Sequence, residues 1–500
     1  MSKIVKKMKI MQPGGTLSDY VPIGAEAENI NVDGESVEAK LGKKPYYYNT
    51  VADMKADTKL KAGDMVVTLG YYKANDGGGA EYKIVSGNYT DDGGSIHKLT
   101  NGLFAELINN DYIFPEYFGT KGDGETDDTI NFKKALNYAI INNYNFIALK
   151  KYVINDTLLI NSENLSIEIN ELINHAYVET LINIVNNYNT IKINNIITDI
   201  NSQYAINLNG SYGHGCKQNK LYVKSIKNFN VAVLLLGQGN LGTIYNTLNI
   251  KYINCGIGIL LKNLTKNDYV NSNYFYDIDI NASDTCIKTE NVEDGNDFDD
   301  NNFYNISLNN YQYGIYLNNA KGNNFYGIRN FEIPQNSTIV YCDSLSDGNR
   351  FNFANYCIIN KLNILGNRNV FYNELRTTAG KLRAISSYYV SNNKFIVNEN
   401  LALTNESPVQ YGGYNQNYDF SNAIIYNPNM VILIGGNLGS TYTLKINEVV
   451  KELTQIYVKV DVSNNSKVNI VDENDNMIQQ NITTSGLYLL KYDGSKWVLK

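Results

Sequence analysis

A four-residue signature, Asn-x-[Leu/Phe]-[Tyr/Asn], returns seven times in the middle of the chain and constrains the fold more than any other feature. The copies begin at Asn219, Asn246, Asn273, Asn301, Asn323, Asn349 and Asn369, at intervals of 27, 27, 28, 22, 26 and 20 residues. Each of the first five is followed by a second apolar run: VAVLLLG at 231–237, GIGILL at 256–261, TCIK at 285–288, YGIYL at 313–317 and STIVY at 337–341. These runs are short, rich in β-branched and aromatic residues, and bounded by Asn, Asp and Gly, so they read as strands between turns. A unit of 20–28 residues with two or three short strands cannot bury its own apolar face, so its copies must stack. Stacked strands joined by polar turns of uneven length make a parallel β-helix. A leucine-rich repeat would need a tighter period and regular Leu positions. The repeated Asn has its own reason: on coils about 4.8 Å apart, amides can donate and accept along a ladder and satisfy a buried turn. NLSIEI at 164–169 and NTIKINNI at 189–196 read as earlier, less regular coils.

Just before those coils stands YFGTKGDGETDDTINFKKALNYAIINN, residues 117–143. Phe132, Ala135, Leu136, Ala139 and Ile140 follow the spacing of one apolar helix face. The four acids Asp123, Glu125, Asp127 and Asp128 suggest a metal site at first sight. The segment lacks the ligand pattern of an EF-hand loop, and turn and helix-start chemistry accounts for the acids. Gly122, Asp123 and Gly124 suit a turn, and Thr126, Asp127 or Asp128 suits an N-cap. Asp123, Asp127 and Asp128 are therefore assigned a structural capping role.

GTKGDGETDDTINFKKAL resembles the G-A-x-G-D-G-x-x-D-D-T-x-x-[IF]-x-x-A motif that opens right-handed β-helices of the pectate-lyase superfamily. The resemblance implies a right-handed solenoid whose open N-terminal end is plugged by the helix. It covers roughly residues 111–380 and includes FIALKKYVINDTLLINSENLSI as the first coil, with Lys150-Lys151-Tyr152 in place of the usual Pro-Gly before Tyr. The motif speaks to fold and says little about activity.

The two ends read differently. Residues 51–85 give a short helix, a strand, a Gly-rich hairpin at 76–79 and another strand. That hairpin lacks the Lys-[Ser/Thr] and following helix of a phosphate loop. This segment and residues 1–45 resemble the N-terminal portions of bacteriophage tail spikes and tail fibres. After about residue 385 the Asn repeat stops, and alternating strands such as STYTLKINEVV, TQIYVKVDVSN and GLYLLKYDGSKWVLK read as a small antiparallel sandwich. YDGSKWVLK resembles the final strands of phage tail-protein tip domains. Trp497, the only tryptophan, is assigned to sheet packing.

The expected fold class is thus all-β: a right-handed parallel β-helix capped by an amphipathic helix, with a small N-terminal α+β region and a C-terminal antiparallel β domain. The expected division is 1–45 for attachment to the virion, 46–110 a small β-rich domain, 111–385 the β-helix, and 386–500 the C-terminal domain for trimerisation or glycan binding.

Composition narrows the function. Forty-three basic against 50 acidic residues give a net charge of −7, a poor match to a sequence-independent nucleic-acid binder. No apolar run approaches a membrane span, and the N-terminus lacks the apolar core of a secretory signal, so a chain made in a cytoplasm is expected. The five cysteines are scattered without metal or redox spacing. Forty-one tyrosines in so polar a chain leave aromatic faces for sugar rings. Glycosidic cleavage needs two carboxylates, roughly 5–5.5 Å apart for retention or 6.5–9.5 Å for inversion. In FYDIDI, Phe275, Ile278 and Ile280 point inward, which places Asp277 and Asp279 outward about 6–7 Å apart. They are the candidate acid/base pair. Alignment of the repeats puts Ser225, Tyr252, Ser307, Arg329 and Asn355 in one column with Asp279, with Tyr252 and Arg329 as candidate glycan contacts. Two solvated aspartates on an outward face remain the blander alternative. ENVEDGNDFDDNN at 290–302 offers Asp294, Asp297 and Asp299 for calcium, a catalytic rim, or plain turn chemistry. His214 lies in a Gly-rich loop without a visible partner.

Taken with the resemblance, the expected protein is a phage tail spike or tail fibre in the virion tail that binds a host cell-surface polysaccharide during adsorption. It would be a homotrimer, joined to tail or baseplate proteins through its N-terminus and released by lysis. A glycan depolymerase acting on capsule or a teichoic-acid-like polymer is the alternative, and a purely structural tail component a third.

Overall fold

The computed structural model describes residues 45–354 apart from 109–110, 212, 214, 292–297, 333 and 335–336. It also describes residue 357, segments 362–365, 369–373, 394–397, 431–434, 441–446, 455–460 and 467–472, residues 476–500 apart from 485 and 494, and four two-residue strands before residue 45. Asp294, Asp297, His214, Asn355 and most of 1–45 lie outside the described residues. The chain divides into two compact units, residues 1–121 with 134–138, and residues 122–133 with 139–500.

In the first unit, helix α1 (Val51–Ala56) is capped by Thr50, whose Oγ1 accepts from the Asp53 amide at 3.0 Å. A five-stranded sheet follows in the order Tyr46–Tyr48, Met65–Thr68, Glu81–Val85, Phe104–Ile108, Ile96–Lys98. Its core includes Met54, Val66, Tyr82, Ile84 and Ala105, all essentially inaccessible. The Gly-rich segment is a turn tied by one carboxylate: Asp76 accepts from the amides of Tyr71, Tyr72, Lys73 and Gly78.

The second unit is a right-handed parallel β-solenoid. Sheet 1 stacks Asn145–Val153, Ser166–Asn174, Thr190–Thr198 and Lys220–Lys227, and continues through the first parts of Thr247–Asn263 and Asp279–Asn291 to Asn324–Asn330, Arg350–Phe353 and Val370–Asn373. Sheet 2 stacks Leu158–Ile160, Thr180–Ile184, Tyr204–Asn209 and Val231–Gly237, then the later parts of those two long strands, then Tyr313–Leu317 and Thr338–Cys342. Every pairing between neighbouring coils is parallel, so identical positions in the repeat stand directly above one another. Inside, this stacks Phe275, Phe303, Phe325 and Phe351 with ring centroids 4.3, 4.6 and 5.0 Å apart. Face-to-face stacking is not the geometry free rings prefer; the coil spacing imposes it.

The signature asparagines form the predicted ladder. Each Nδ2 donates to the Oδ1 one coil on, from Asn189 through Asn219, Asn246, Asn273, Asn301, Asn323 and Asn349 to Asn369, at 2.9–3.1 Å. All eight are buried. The residue before the ladder Asn is left-handed in coil after coil: Tyr188, Gln218, Tyr245, Ser272, Asp300, Gly322 and Gly348 have φ between 54° and 66°.

Helix α2 (Thr129–Asn142) precedes the first coil, its residues 134–138 being counted with the first unit and the rest with the second. Its predicted apolar face is buried at Phe132, Ala135, Leu136 and Ala139, and Phe132 packs on Phe146 and Tyr152 of the first coil, 5.1 Å from each ring. The acid-rich stretch differs from the expected turn and N-cap in two respects. Residues Asp123–Asp127 form a short irregular strand paired with Asn145–Val153, and Asp128, at the N-cap position, makes no side-chain cap bond to the helix. Its carboxylate instead accepts from the Gly122 amide at 2.9 Å, closing the loop behind it. Asp127 accepts from the Thr129 amide at 2.9 Å, and Asp123 from the amides of Glu125 and Thr126 at 3.0 and 2.7 Å. Once these carboxylates satisfy local backbone donors, the strand is free to pair with the first coil.

The C-terminal strands form two further sheets, and their pairing is mixed where antiparallel was expected. Gln455–Val460 pairs antiparallel with Gly486–Tyr492, and that strand with Trp497–Leu499; Lys467–Asp472 pairs antiparallel with Met477–Ile482. Val431–Ile434 with Gln455–Val460, and Thr441–Ile446 with Lys467–Asp472, run parallel. The cause is topological. The four strands from Val431–Ile434 to Lys467–Asp472 alternate between the two sheets, so these neighbours within a sheet are two strands apart in sequence and point the same way. Trp497 is buried against Tyr492. Among the described residues no helix is long and apolar enough to cross a membrane.

Candidate functional site

Three columns of outward side chains run along sheet 1, each generated by one position of the repeat. The first is the fourth residue of the signature. Lys192, Tyr222, Asn249, Tyr276, Tyr304 and Tyr326 are in register. Tyr276 stacks on Tyr304 at 5.0 Å and Tyr304 on Tyr326 at 5.2 Å, with rings within 13° of parallel. Tyr274 adds a fourth near-parallel ring, 6.4 Å from Tyr276 on the same strand face. The rings cover one another's faces and present edges and hydroxyls to solvent, Tyr326 being 37% exposed. Burial, then the neighbouring phenols, push the Tyr304 hydroxyl above the usual phenol range, so it stays a neutral donor and acceptor.

The second column is the bend that splits the strand. Asp277, Asn305 and Gly327 take left-handed φ values of 54°, 63° and 69°. Asp, Asn and Gly are the residues that enter this region most readily. Asn305 Nδ2 donates to Asp277 Oδ1 at 2.9 Å, and Arg329 Nη2 donates to Asn305 Oδ1 at 3.2 Å. Asn249 donates to the other Asp277 oxygen at 3.4 Å, and Lys251 lies 3.7 Å from it. The amide of Asn305 first, aided by the Lys251 charge, holds the Asp277 carboxyl below its ordinary range.

The third column runs Lys151, Glu171, Asn195, Ser225, Tyr252, Asp279, Ser307 and Arg329. It is laced along the coils: Lys151 with Glu171 at 3.2 Å, Asn195 to Glu171 at 3.2 Å, Ser225 to Asn195 at 2.8 Å. Lys227 sits 6.0 Å from the centre of the Tyr252 ring, and Asn309 donates to Asp279 Oδ1 at 2.8 Å.

Tyr252, Asp279 and Arg329 therefore share one column, with Asp277 one step away at the bend. The two aspartates answer to different partners. A general acid for glycosidic cleavage needs a proton held up to working pH, whereas the Asp277 carboxyl is held below its ordinary range in an amide chain that also braces the bend, an environment that suits the ionised member of such a pair and not the acid. Of the acidic loop, Asp299 pairs in the short strand Phe298–Asp299 with Ala320–Lys321. No group of three or more His, Cys, Asp or Glu gathers as metal ligands among the described residues. The tyrosine stack was not singled out from sequence, although its signal was present: three signatures in succession end Phe-Tyr, and register alone then stacks the rings.

No family profile matches the sequence, and no curated protein does. Among solved structures, tailspike protein 2 of an Escherichia coli O157:H7 bacteriophage is 14% identical, with a TM-score of 0.43 over 78% of this chain and 52% of that one. The tailspike of Acinetobacter baumannii bacteriophage Fri1, described as a capsular polysaccharide depolymerase, is 12% identical, with a TM-score of 0.42 over 70% and 71%. A tailspike of another Acinetobacter phage is 15% identical, with a TM-score of 0.45 over 89% and 77%. The chain spans about half the length of the first of these.

Proposed function

We propose that the chain is a phage tail-spike protein whose solenoid binds a host cell-surface polysaccharide through the outer face of sheet 1. The observation that carries this reading is the stack of Tyr276, Tyr304 and Tyr326 beside the amide and charge network of Asp277, Asn305, Arg329 and Asp279. Sugars are recognised by aromatic side chains together with placed donors and acceptors, and this surface offers a row of tyrosine edges and hydroxyls beside amides and charges on a rigid frame. Tyr252 lies at its margin, and Tyr252 and Arg329 contribute contacts. Residues 1–45 attach the chain to tail or baseplate proteins, 46–110 form a small domain, 111–385 carry the glycan site, and 386–500 serve trimerisation or a second glycan contact. A homotrimer in the virion tail, released by lysis, follows from the same reading.

Binding is favoured over cleavage because Asp277 is committed to the bend. Cleavage through Asp277 and Asp279 is the second reading, and calcium at Asp294, Asp297 and Asp299 is an accessory proposal within it. Purified protein incubated with host cell-wall or capsular polysaccharide should bind without releasing reducing ends or unsaturated sugars. New chain ends that vanish in Asp277→Asn/Asp279→Asn would replace the adhesin reading with the depolymerase. Failure to bind any polysaccharide of the host surface would overturn both. A monomeric mass by light scattering at micromolar concentration would remove the trimer.

A further inference from the structure

The chain carries a net charge of −7, yet residues 180–267 hold eight lysines, no arginine and a single acid, Asp199. The fold gathers five of those lysines on sheet 1. The strands Thr190–Thr198 and Lys220–Lys227 and the sheet 1 part of Thr247–Asn263 contribute Lys192, Lys220, Lys224, Lys227 and Lys251, and not one carboxylate. The coils on either side are acidic, with Glu168 and Glu171 before and Asp277 and Asp279 after. Lys192, Lys220, Lys224 and Lys251 are exposed, and Lys227 is half-buried.

Register sets the layout. Val223 pairs with Ile250 and Ser225 with Tyr252, so Lys224 and Lys251 are neighbours one coil apart, about 4.8 Å along the axis. Lys220, Lys224 and Lys227 follow one strand at steps of about 13 and 10 Å at 3.3 Å per residue. Tyr222, 41% exposed, stands between Lys220 and Lys224 in register with Lys192. Lys251 reaches the Asp277 carboxylate at 3.7 Å; among the described residues the other four have no acid within ion-pair distance. Like charges held this close repel, and among the described residues only Lys251 has an acid, Asp277 on the next coil, within ion-pair distance.

We infer that this belt binds an anionic polysaccharide, one bearing phosphodiester or carboxylate groups along its chain. The inference rests on the glycan-binding reading and names the ligand's charge class. Lysines are point charges on flexible stems, suited to anions repeated along a polymer, whereas no guanidinium is present to grip a single group bidentately. The belt is about 10 Å wide across three coils and about 23 Å long, a ribbon that fits a single polymer strand. An exposed tyrosine among the charges supplies an apolar face for a sugar ring.

The 500-residue chain is titrated by fluorescence anisotropy with glycerol-phosphate polymer, polygalacturonate, neutral dextran, a neutral fraction of host wall polysaccharide, and an oligothymidylate of matched charge. One or both anionic polymers bind, and neutralising four lysines makes affinity fall roughly 50-fold between 50 and 200 mM salt, by analogy with other polyanions. Lys192→Gln/Lys224→Gln/Lys251→Gln weakens binding tenfold or more with an unchanged thermal melt. Lys59→Gln/Lys73→Gln/Lys83→Gln, on the first unit, leaves it as it was. Binding by the belt variant within twofold of the parent, or oligothymidylate binding as tightly as the polymers, overturns the belt. Equal or tighter binding of a neutral glycan overturns the anionic class and leaves the broader reading standing. Binding to no polysaccharide removes both.

Discussion

Replacing Asn301 with alanine should cut the ladder at one rung and cost about 4 kcal/mol locally. The Asn301 side chain, with no accessible surface, makes four bonds. Nδ2 donates to the Val270 carbonyl at 2.8 Å and to Asn323 Oδ1 at 3.1 Å; Oδ1 accepts from the Asn273 amide at 3.1 Å and from Asn273 Nδ2 at 3.0 Å. Two partners keep substitutes. Asn323 Oδ1 still accepts from the Asn301 backbone amide at 3.0 Å, and Asn273 Nδ2 still donates to the Thr243 carbonyl at 2.8 Å. The Asn273 N–H and the Val270 C=O lose these bonds inside a dry corner. At about 1–3 kcal/mol for each stranded buried group, the loss is about 2–6 kcal/mol. Asn302→Ala is the control: Asn302 faces outward beside the ladder, so water can replace its bonds and the cost should stay near 0.5 kcal/mol. Asn301→Asp keeps the volume and the acceptor but turns the donor into an anion facing two oxygens, so it should be at least as damaging as alanine. A solenoid need not unfold in one step, so the readout is native-state hydrogen exchange at Asn273, Tyr274 and Ser307, backed by urea melts. Equal loss of protection in Asn301→Ala and Asn302→Ala, or a milder aspartate, would refute the reasoning.

Three further outcomes are open to direct measurement. Tyr304→Ala breaks the outer stack at its centre and should lower affinity for the host polysaccharide at least tenfold, about 1.4 kcal/mol, with Tyr304→Phe falling between it and the parent; unchanged binding by the alanine variant would remove the stack from the site. Ser272 sits in a left-handed turn at φ 56°, so Ser272→Gly should stabilise the solenoid by about 0.5–1 kcal/mol, the conformational relief outweighing glycine's extra unfolded freedom; destabilisation in a urea melt would count against it. His97 is 1% exposed with neither ring nitrogen hydrogen-bonded; it packs by Tyr71 and Tyr82, 3.8 Å from an Asp91 oxygen, with Asp92 and Lys55 the other charges acting on it. Burial lowers its pKa from 6.5 to about 4, so between those values the unfolded chain takes up a proton that the folded one refuses. Stability is complete above about pH 6.5 and falls toward pH 4 by up to about 3 kcal/mol; His97→Phe should flatten that part of the pH profile in thermal melts, and an unaltered slope would show that other groups set it.

The solenoid was legible because parallel stacking gives every copy of a position the same neighbours, so one environment selects one residue type coil after coil. Asn246 and Phe303 announce themselves in this way. The left-handed turn before each ladder Asn was hidden, since only Asp300, Gly322 and Gly348 among its seven occupants are residues that favour it; the others accept the strain because the ladder bond beside them fixes the corner. Asp277 was legible as an outward acid and illegible as a structural one. Its role depends on Asn305, 28 residues on, whose amide meets it only after the coils are in register. The C-terminal strands were legible one at a time, but the alternation between two sheets that makes some of them parallel leaves no mark within a single strand.

The same register that builds the core also composes the surface. Inward positions of the signature are closely constrained, since Asn must continue the ladder and Phe or Leu must fill the stack. The fourth position faces out and is free of both demands. Read by column, that position changes from Lys192 through Tyr222 and Asn249 to Tyr276, Tyr304 and Tyr326. The surface thus passes from a basic belt to an aromatic row within five coil steps, while the fold beneath it does not change. A polymer crossing several coils would meet these two chemistries at different points along its length, so the unit of recognition on this protein is the column. Substitutions along one column should therefore change binding together, while substitutions along one coil combine an inward cost in stability with an outward cost in affinity.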